Sequence, residues 1–123
     1  LGEALLVPHR CYLHELRPLL PRITALAHIT GGGLYDNVPR ILPEGVAAEF
    51  DRSSWSVPSL FRFIQRVGDV PDAEMFRTFN MGVGMVIAAA PEQAAALLAA
   101  LPEAWRAGHV IAATPDAPRV ALR

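Results

Sequence analysis

Ala27-His28-Ile29-Thr30-Gly31-Gly32-Gly33-Leu34 decides most about this sequence, because three consecutive glycines follow a mostly apolar run. Residues 23–29 are apolar on both faces of an extended chain, which predicts a buried strand. Residues 34–42 predict a short helix, with Asp36 as a possible N-cap. Glycines between a strand and a helix permit positive φ and let another group approach the backbone closely.

The turn from Thr30 to Gly33 has two interpretations. Successive backbone N–H groups in such a turn can converge on an anion, and the helix start behind them adds partial positive charge. Thr30 could add a hydroxyl donor and His28 an imidazole, so that Gly31, Gly32 and Gly33 would form a phosphate seat. The alternative is a tight turn without a ligand, since glycine-rich turns are common. The spacing matches neither a Walker motif nor a dinucleotide-binding fingerprint.

Strands and helices interleave along the rest of the chain, with residues 1–8 as a tether and 9–123 as one domain. This pattern predicts an α/β or α+β fold, a mixed sheet with helices packed on it. Ser53 or Ser54 is the expected N-cap of the second helix and Gly68 its C-cap. The predicted strands are 10–13, 23–29, 46–51, 83–89, 105–113 and 119–122, and the predicted helices are 34–42, 57–67, 72–76 and 91–101, with one helical turn at 16–20.

The composition excludes several classes of protein. A hydrophobic content of 52% with 19% charged residues indicates a packed globular domain and argues against disorder. The formal net charge of −1 gives no support for a nucleic-acid surface. No apolar run approaches the ~20 residues of a membrane helix. All 11 basic residues are arginines, which excludes a catalytic lysine within these residues. The single cysteine favours a reducing, cytoplasmic compartment.

His9, Cys11 and His14 invite a metal interpretation, because His9 and Cys11 would share one face of an extended strand. His14 would point to the other face, and no fourth ligand lies near in the sequence. Structural zinc normally takes four ligands. We therefore expect no metal site here.

A second informative stretch is Glu74-Met75-Phe76-Arg77-Thr78-Phe79-Asn80-Met81-Gly82-Val83-Gly84-Met85. Arg77 could bind a phosphate through two hydrogen bonds, or it could pair with Glu74 one helical turn back. Asn80 could contact a substrate at the floor of a cleft in which Gly82 leaves room, or it could cap a turn. His28 is the one candidate for a catalytic role, as a general base, although a histidine on an apolar strand is more often structural.

These two stretches, with Asp36-Asn37-Val38-Pro39-Arg40-Ile41-Leu42-Pro43 between them, resemble the signature of AIR synthase, the phosphoribosylformylglycinamidine cyclo-ligase family. The opening Leu1-Gly2-Glu3-Ala4-Leu5-Leu6 resembles the segment that leads into the C-terminal domain of that enzyme. The resemblance implies the substrate-side domain of an ATP-dependent enzyme of purine biosynthesis. Such an enzyme closes formylglycinamidine ribonucleotide into aminoimidazole ribonucleotide.

The resemblance also implies partners and cofactors. ATP and Mg²⁺ would be bound mostly by an N-terminal ATP-binding domain of the same protein, which these residues lack, and none by these residues alone. The whole protein would be a cytoplasmic homodimer acting on a ribonucleotide, and the 123 residues alone would not turn over. The expected substrate- or phosphate-binding residues are Thr30, Gly31, Gly32, Gly33, Arg77, Asn80 and Gly82.

One segment departs from the family pattern. Where the family tends to have Thr-Arg-Ile-Tyr-Val-Lys, this chain has His9-Arg10-Cys11-Tyr12-Leu13-His14, and Pro18 and Pro21 interrupt the helix expected next. The alternative is therefore a diverged relative that kept the fold and lost the chemistry. That would be a non-catalytic phosphate-binding, nucleotide-binding or regulatory domain of the superfamily that includes thiamine monophosphate kinase and selenophosphate synthetase.

Overall fold

The computed structural model describes residues 1–123, and its strands form two small sheets. The strands are β1 (Ala25–His28), β2 (Val46–Phe50), β3 (Met85–Ala88), β4 (Gly108–Ala112) and β5 (Val120–Leu122). β1 pairs with β3 in antiparallel register, and β2 lies between antiparallel β4 and parallel β5. The predicted α+β fold, a mixed sheet with packed helices, is confirmed, with the strands divided between two sheets.

Six α-helices and three 3-10 segments connect the strands. They are α1 (Gly2–Leu5), α2 (Leu13–Leu16), α3 (Gly33–Asn37), α4 (Ser59–Gly68), α5 (Asp72–Thr78) and α6 (Pro91–Ala100), with 3-10 turns at Arg17–Arg22, Val38–Ile41 and Arg52–Ser54. α1 falls within the predicted tether 1–8, and its residues are exposed. None of the helices is both long enough and apolar enough to span a membrane.

The main core lies where β1 and β2 meet α3 and the 3-10 turn behind it. Ile29 has no exposed surface, so the chain is anchored in the interior immediately before the glycine turn. A smaller core forms beneath α4 and α5 around Met75, Phe76 and Met81. The members of the main core are Ala27, Ile29, Leu34, Val38, Leu42, Ala48, Phe50, Val83 and Val120.

The strand predicted at 10–13 is wrong. Residues 10–12 are irregular and Leu13 begins α2, because the Leu16 N–H closes a helical turn on the carbonyl of Tyr12. The single helical turn predicted at 16–20 is displaced for the same reason. α2 ends at Leu16, and a 3-10 helix follows because Pro18 and Pro21 have no N–H group to extend an α-helical ladder.

Two predicted helix caps are also wrong, the aspartate N-cap of α3 and the glycine C-cap of α4. Asp36 lies inside α3, whose N-cap is Gly32 at φ +93°. Gly68 is the last residue of α4, and Asp69 at φ +48° forms the left-handed C-cap in its place. An aspartate tolerates this left-handed conformation better than most side chains, so the helix can extend one residue past the predicted stop.

The predicted serine cap of α4 is replaced by a local turn. Pro58 precedes α4, and no side chain caps the helix. The Asp51 carboxylate instead accepts hydrogen bonds from the Ser53 hydroxyl at 2.6 Å and the Ser53 N–H at 2.8 Å. These bonds favour the charged carboxylate and lower the pKa of Asp51. The Ser54 hydroxyl donates to the carbonyl of Asp51 at 2.7 Å, which completes the 3-10 turn.

Arg119, immediately before β5, holds the connection between α3 and β2. Its guanidinium donates to the carbonyls of Leu42 and Pro43, each at 2.7 Å, and more weakly to those of Pro39 and Val46 at 3.4 Å. No carboxylate pairs with Arg119, so four backbone carbonyls alone accept the hydrogen bonds of its charged group. This one side chain satisfies the carbonyls of Leu42 and Pro43, which follow the 3-10 turn and accept no helical hydrogen bond.

We expect Arg119→Met to destabilise the fold by about 1–3 kcal/mol, since part-buried carbonyls would lose a charged donor while the aliphatic packing is kept. Arg123→Met is the matched control. It removes an exposed ion pair with Glu49 at 3.2 Å, which is worth roughly 0–1 kcal/mol. Urea denaturation followed by circular dichroism measures both. Equal losses in the two variants would contradict the role of Arg119.

Candidate functional site

The glycine turn is shaped by two left-handed residues and one close packing contact. Gly32 and Gly33 have φ values of +93° and +56°. A Cβ on Gly33 would overlap the carbonyl oxygen of Phe76 and lie 2.7 Å from that of Phe79. A Cβ on Gly31 would meet nothing within 4 Å. Gly33 therefore has a packing role, and Gly31 faces open space.

The contact at Gly33 places the glycine turn and the stretch 74–85 side by side. α3 begins against the C-terminal end of α5, which is fixed by the buried side chains of Met75 and Phe76. The residues that follow α5, at 79–82, therefore lie next to the glycine turn. The two stretches form one surface.

Asn37, which the sequence interpretation did not single out, organises the turn from inside. Its side-chain amide donates to the carbonyls of Gly33 at 2.8 Å, Gly31 at 3.2 Å and Thr30 at 3.4 Å, and the residue is buried. The one sequence signal for this role of Asn37 was a polar residue between the apolar residues Leu34 and Val38. Because the carbonyls are drawn toward Asn37, the amides of the turn are left for other acceptors.

The turn keeps two free backbone donors. The Gly33 N–H donates to the Thr30 carbonyl at 3.1 Å, whereas the N–H groups of Gly31 and Gly32 donate to no protein acceptor. The Asp36 carboxylate lies over Gly32, with Oδ2 2.6 Å from where a Cβ would stand. That negative charge opposes an anion directly above Gly32, so an anion would fit on the open side, at Gly31. The exposed Thr30 hydroxyl makes no bond within the chain.

Arg77 is exposed and is not paired with Glu74. The Glu74 carboxylate accepts from the Thr78 hydroxyl at 3.2 Å, and the Arg77 guanidinium carbon lies 5.9 Å from the centre of the Tyr35 ring. Of the two interpretations drawn from the sequence, the ion pair is not formed. The guanidinium is free to bind an anion from solvent.

Asn80 caps a turn, as one of its two interpretations states. Its Oδ1 accepts from the Gly82 N–H at 3.0 Å, and its carbonyl accepts from Val83 at 2.9 Å. Gly82 has φ +97°, and a Cβ there would lie 2.6 Å from Cδ of Pro58. Gly82 is therefore required by packing on Pro58. The Asn80 Nδ2 group makes no bond within the chain and is the only part of this side chain left for a ligand.

His28 ends β1 with its side chain exposed, and its Nε2 lies 2.8 Å from Nε2 of His9. It lines a cleft of about 340 Å³ together with Cys11, Arg17 and apolar side chains. His9 is thus paired with His28 and not with Cys11 and His14. No group of three or more His, Cys, Asp or Glu side chains is arranged to hold a metal ion.

A second cleft, of about 580 Å³, borders Gly82 and Gly84. Arg10 lies at its rim, bound to both oxygens of Glu15 at 2.7 and 2.8 Å and to Glu103. The hydrogen bonds that Arg10 donates to Glu15, and then those to Glu103, raise the pKa of Arg10 above its usual range. Since both carboxylates are engaged by this arginine, the rim offers no free acid for general catalysis.

Residues 1–120 match the family described as AIR synthase related protein, C-terminal domain. The phosphoribosylformylglycinamidine cyclo-ligase of Symbiobacterium thermophilum is 47% identical over 127 residues, covering 98% of this chain and 36% of the relative. That of Bifidobacterium animalis is 45% identical over 117 residues, covering 90% and 34%. The human trifunctional purine biosynthetic protein adenosine-3 is 42% identical over 129 residues, covering 100% and 13%. The chain thus spans about a third of the bacterial relatives.

We expect Gly33→Ala to destabilise the domain by roughly 3 kcal/mol, because left-handed strain of about 1–2 kcal/mol adds to an overpacking cost of about 1–3 kcal/mol. Gly31→Ala, in open space, should change stability by less than about 0.5 kcal/mol. Thermal and urea unfolding of both variants measure the difference. If they unfold alike, the contact with Phe76 does not constrain the turn.

Proposed function

The chain belongs to the AIR synthase related C-terminal domain family, and on that premise we propose that it is the substrate-side domain of an ATP-dependent phosphoribosylformylglycinamidine cyclo-ligase. The whole enzyme would convert formylglycinamidine ribonucleotide to aminoimidazole ribonucleotide in purine biosynthesis. ATP would turn the formyl oxygen into a phosphate leaving group. The amidine-side nitrogen would then attack that carbon and close the imidazole ring, releasing ADP and phosphate.

The observation that supports a role in substrate binding is the set of free donors at the junction of α3 and α5. The N–H groups of Gly31 and Gly32 have no acceptor within the chain, and the Arg77 guanidinium lies over the Tyr35 ring of α3, the helix that begins at this turn. Donors held by a rigid backbone bind an anion without having to reorganise. We propose that they hold a phosphate of the ribonucleotide and so orient the reacting groups.

The proposed cofactors and partners come mostly from outside these residues. The chain has the donors of the proposed phosphate-binding surface, and no group of three or more His, Cys, Asp or Glu side chains arranged to hold a metal ion. We propose that an N-terminal ATP-binding domain of the same protein holds ATP and Mg²⁺, and that the whole protein is a homodimer. An exposed free thiol at Cys11 and the purine-biosynthetic names of the relatives support a cytoplasmic location.

Arg77→Gln should weaken phosphate or sulfate binding by tenfold or more, because a hydrogen bond to a charged group contributes about 1.5–3 kcal/mol and 1.4 kcal/mol is a factor of ten. Titration with inorganic phosphate, followed by ¹H–¹⁵N spectra, reports on the Gly31 and Gly32 amides directly. Gly32→Val is a poor probe, since φ +93° and the contact with Asp36 would strain the fold.

Arg66→Gln is the control for that titration, since Arg66 is an exposed arginine on α4 without an ion pair. It should leave the affinity unchanged. The phosphate surface would be ruled out if phosphate caused no change in the Gly31 amide signal of the parent chain. It would also be ruled out if all three proteins bound phosphate with equal affinity.

Function of the domain is tested by joining it to the ATP-binding half of a cyclo-ligase and asking for rescue of a purine auxotroph. We expect rescue by the fusion, and no ADP release from the 123 residues alone because the ATP site is elsewhere. A folded, soluble fusion that fails to rescue would favour the alternative, a regulatory domain that lost the chemistry. Appreciable turnover by the chain alone would contradict the proposal that another domain holds the ATP site.

A further inference from the structure

Two imidazoles from distant parts of the chain meet at the end of β1. The Nε2 atoms of His9 and His28 lie 2.8 Å apart, and the ring centres lie 4.7 Å apart. Tyr12 flanks both rings edge-on, at 5.9 and 6.4 Å from their centres. A Cβ on Gly84 would overlap the Tyr12 hydroxyl, so this glycine lets Tyr12 lie close to the backbone. The cluster fastens the irregular segment 9–12 to the β1–β3 sheet.

His9 is a departure of this chain from the pattern that the segment resembles. It opens the stretch His9-Arg10-Cys11-Tyr12-Leu13-His14, at a position where the family tends to have threonine. A threonine at this position has no ionisable side chain, so it could not form a pair of titratable groups with His28.

The hydrogen bond between the two imidazoles limits the number of protons that the pair can hold. In an N–H···N bond one imidazole donates and the other accepts, so at least one of the two rings must be neutral. When both rings are protonated, both Nε2 atoms are donors and two positive charges face each other. Neither ring forms a salt bridge with a carboxylate.

The charged and titratable groups around the pair are few. Arg17, Cys11 and Arg10 line the cleft beside His28, and Tyr12 lies against both rings. Arg10 binds the carboxylates of both Glu15 and Glu103, so these three groups together carry a net charge of −1, while β3 contributes only Met85, which follows Gly84. Arg17 is the one cation beside the pair that no carboxylate engages.

We propose that His9 is a positioning residue for His28. The shared hydrogen bond occupies Nε2 of His28, which leaves Nδ1 as the only nitrogen of that ring able to meet a ligand, and the bond breaks when both rings are protonated. The inference deepens the proposed function by using His28, the candidate general base of the sequence analysis, and it rests on that function only for its catalytic consequence.

The pair is tested first on the chain itself by ¹⁵N NMR of the imidazoles, using His9→Thr, the family residue, and His14→Thr as a matched control. Above pH 7.5 we expect His28 to hold one dominant tautomer in the parent chain and in His14→Thr, and a solvent-like mixture in His9→Thr. His14 and His109 are exposed and serve as internal references. An unchanged His28 tautomer in His9→Thr would overturn the proposal.

A second measurement follows the segment. A fluorophore on Cys11, the only cysteine, should gain mobility once the pH is low enough to protonate both rings, and should be mobile at every pH in His9→Thr. A label whose anisotropy does not change with pH in the parent chain would show that no protonation-dependent bond fastens the segment, and would overturn the proposal.

The catalytic consequence is read from the pH profile of kcat/KM in the fused cyclo-ligase. His9→Thr should shift the acid limb by about half a pH unit or more, whereas His14→Thr should leave it in place. An unchanged acid limb in an active His9→Thr enzyme overturns the positioning role while the proposed function stands. A fusion without turnover fails the proposed function, and the two measurements on the chain still decide the histidine pair.

Discussion

The approach of Gly33 to the carbonyls of Phe76 and Phe79 is the constraint on which the rest of the site depends. Only a residue without a side chain allows α3 to begin at this distance from the end of α5 while holding φ at +56°. The contact brings two stretches 40 or more positions apart into one surface. It also sets the direction of α3, and with it the side on which the turn presents its amides.

The two polar side chains that hold this surface in place, Asn37 and Arg119, donate to backbone carbonyls and not to acidic side chains. Asn37 collects three carbonyls of the glycine turn, and Arg119 collects four at the other end of the same helical segment. Each is a multivalent donor buried or part-buried among acceptors. In the glycine turn the carbonyls are bound by Asn37, whereas the N–H groups of Gly31 and Gly32 have no acceptor within the chain.

The sequence was informative where one local pattern dictates the outcome. The apolar runs at β1 and β3 and the glycine turn between β1 and α3 follow from chain periodicity and the lack of a Cβ. The segment 10–13 did not, because its extended appearance is overruled by a helical bond from Leu16 to Tyr12 and by contacts with Glu103, 93 positions from Arg10. Asn37 and the His9–His28 pair were missed because their partners are set by tertiary structure, which spacing alone does not contain.

The free groups around the glycine turn favour the proposed role in binding over a role in bond making. Its free groups are donors: two amides, a hydroxyl and the Arg77 guanidinium. Its acids are engaged or misplaced, since Glu15 and Glu103 are held by Arg10 and Asp36 lies against Gly32. A surface of donors stabilises negative charge but accepts no proton. In the proposed function, the acceptor that the chain offers for a proton on this side is the His28 imidazole, which can take a proton at Nδ1 only in the tautomer whose Nε2–H donates to His9.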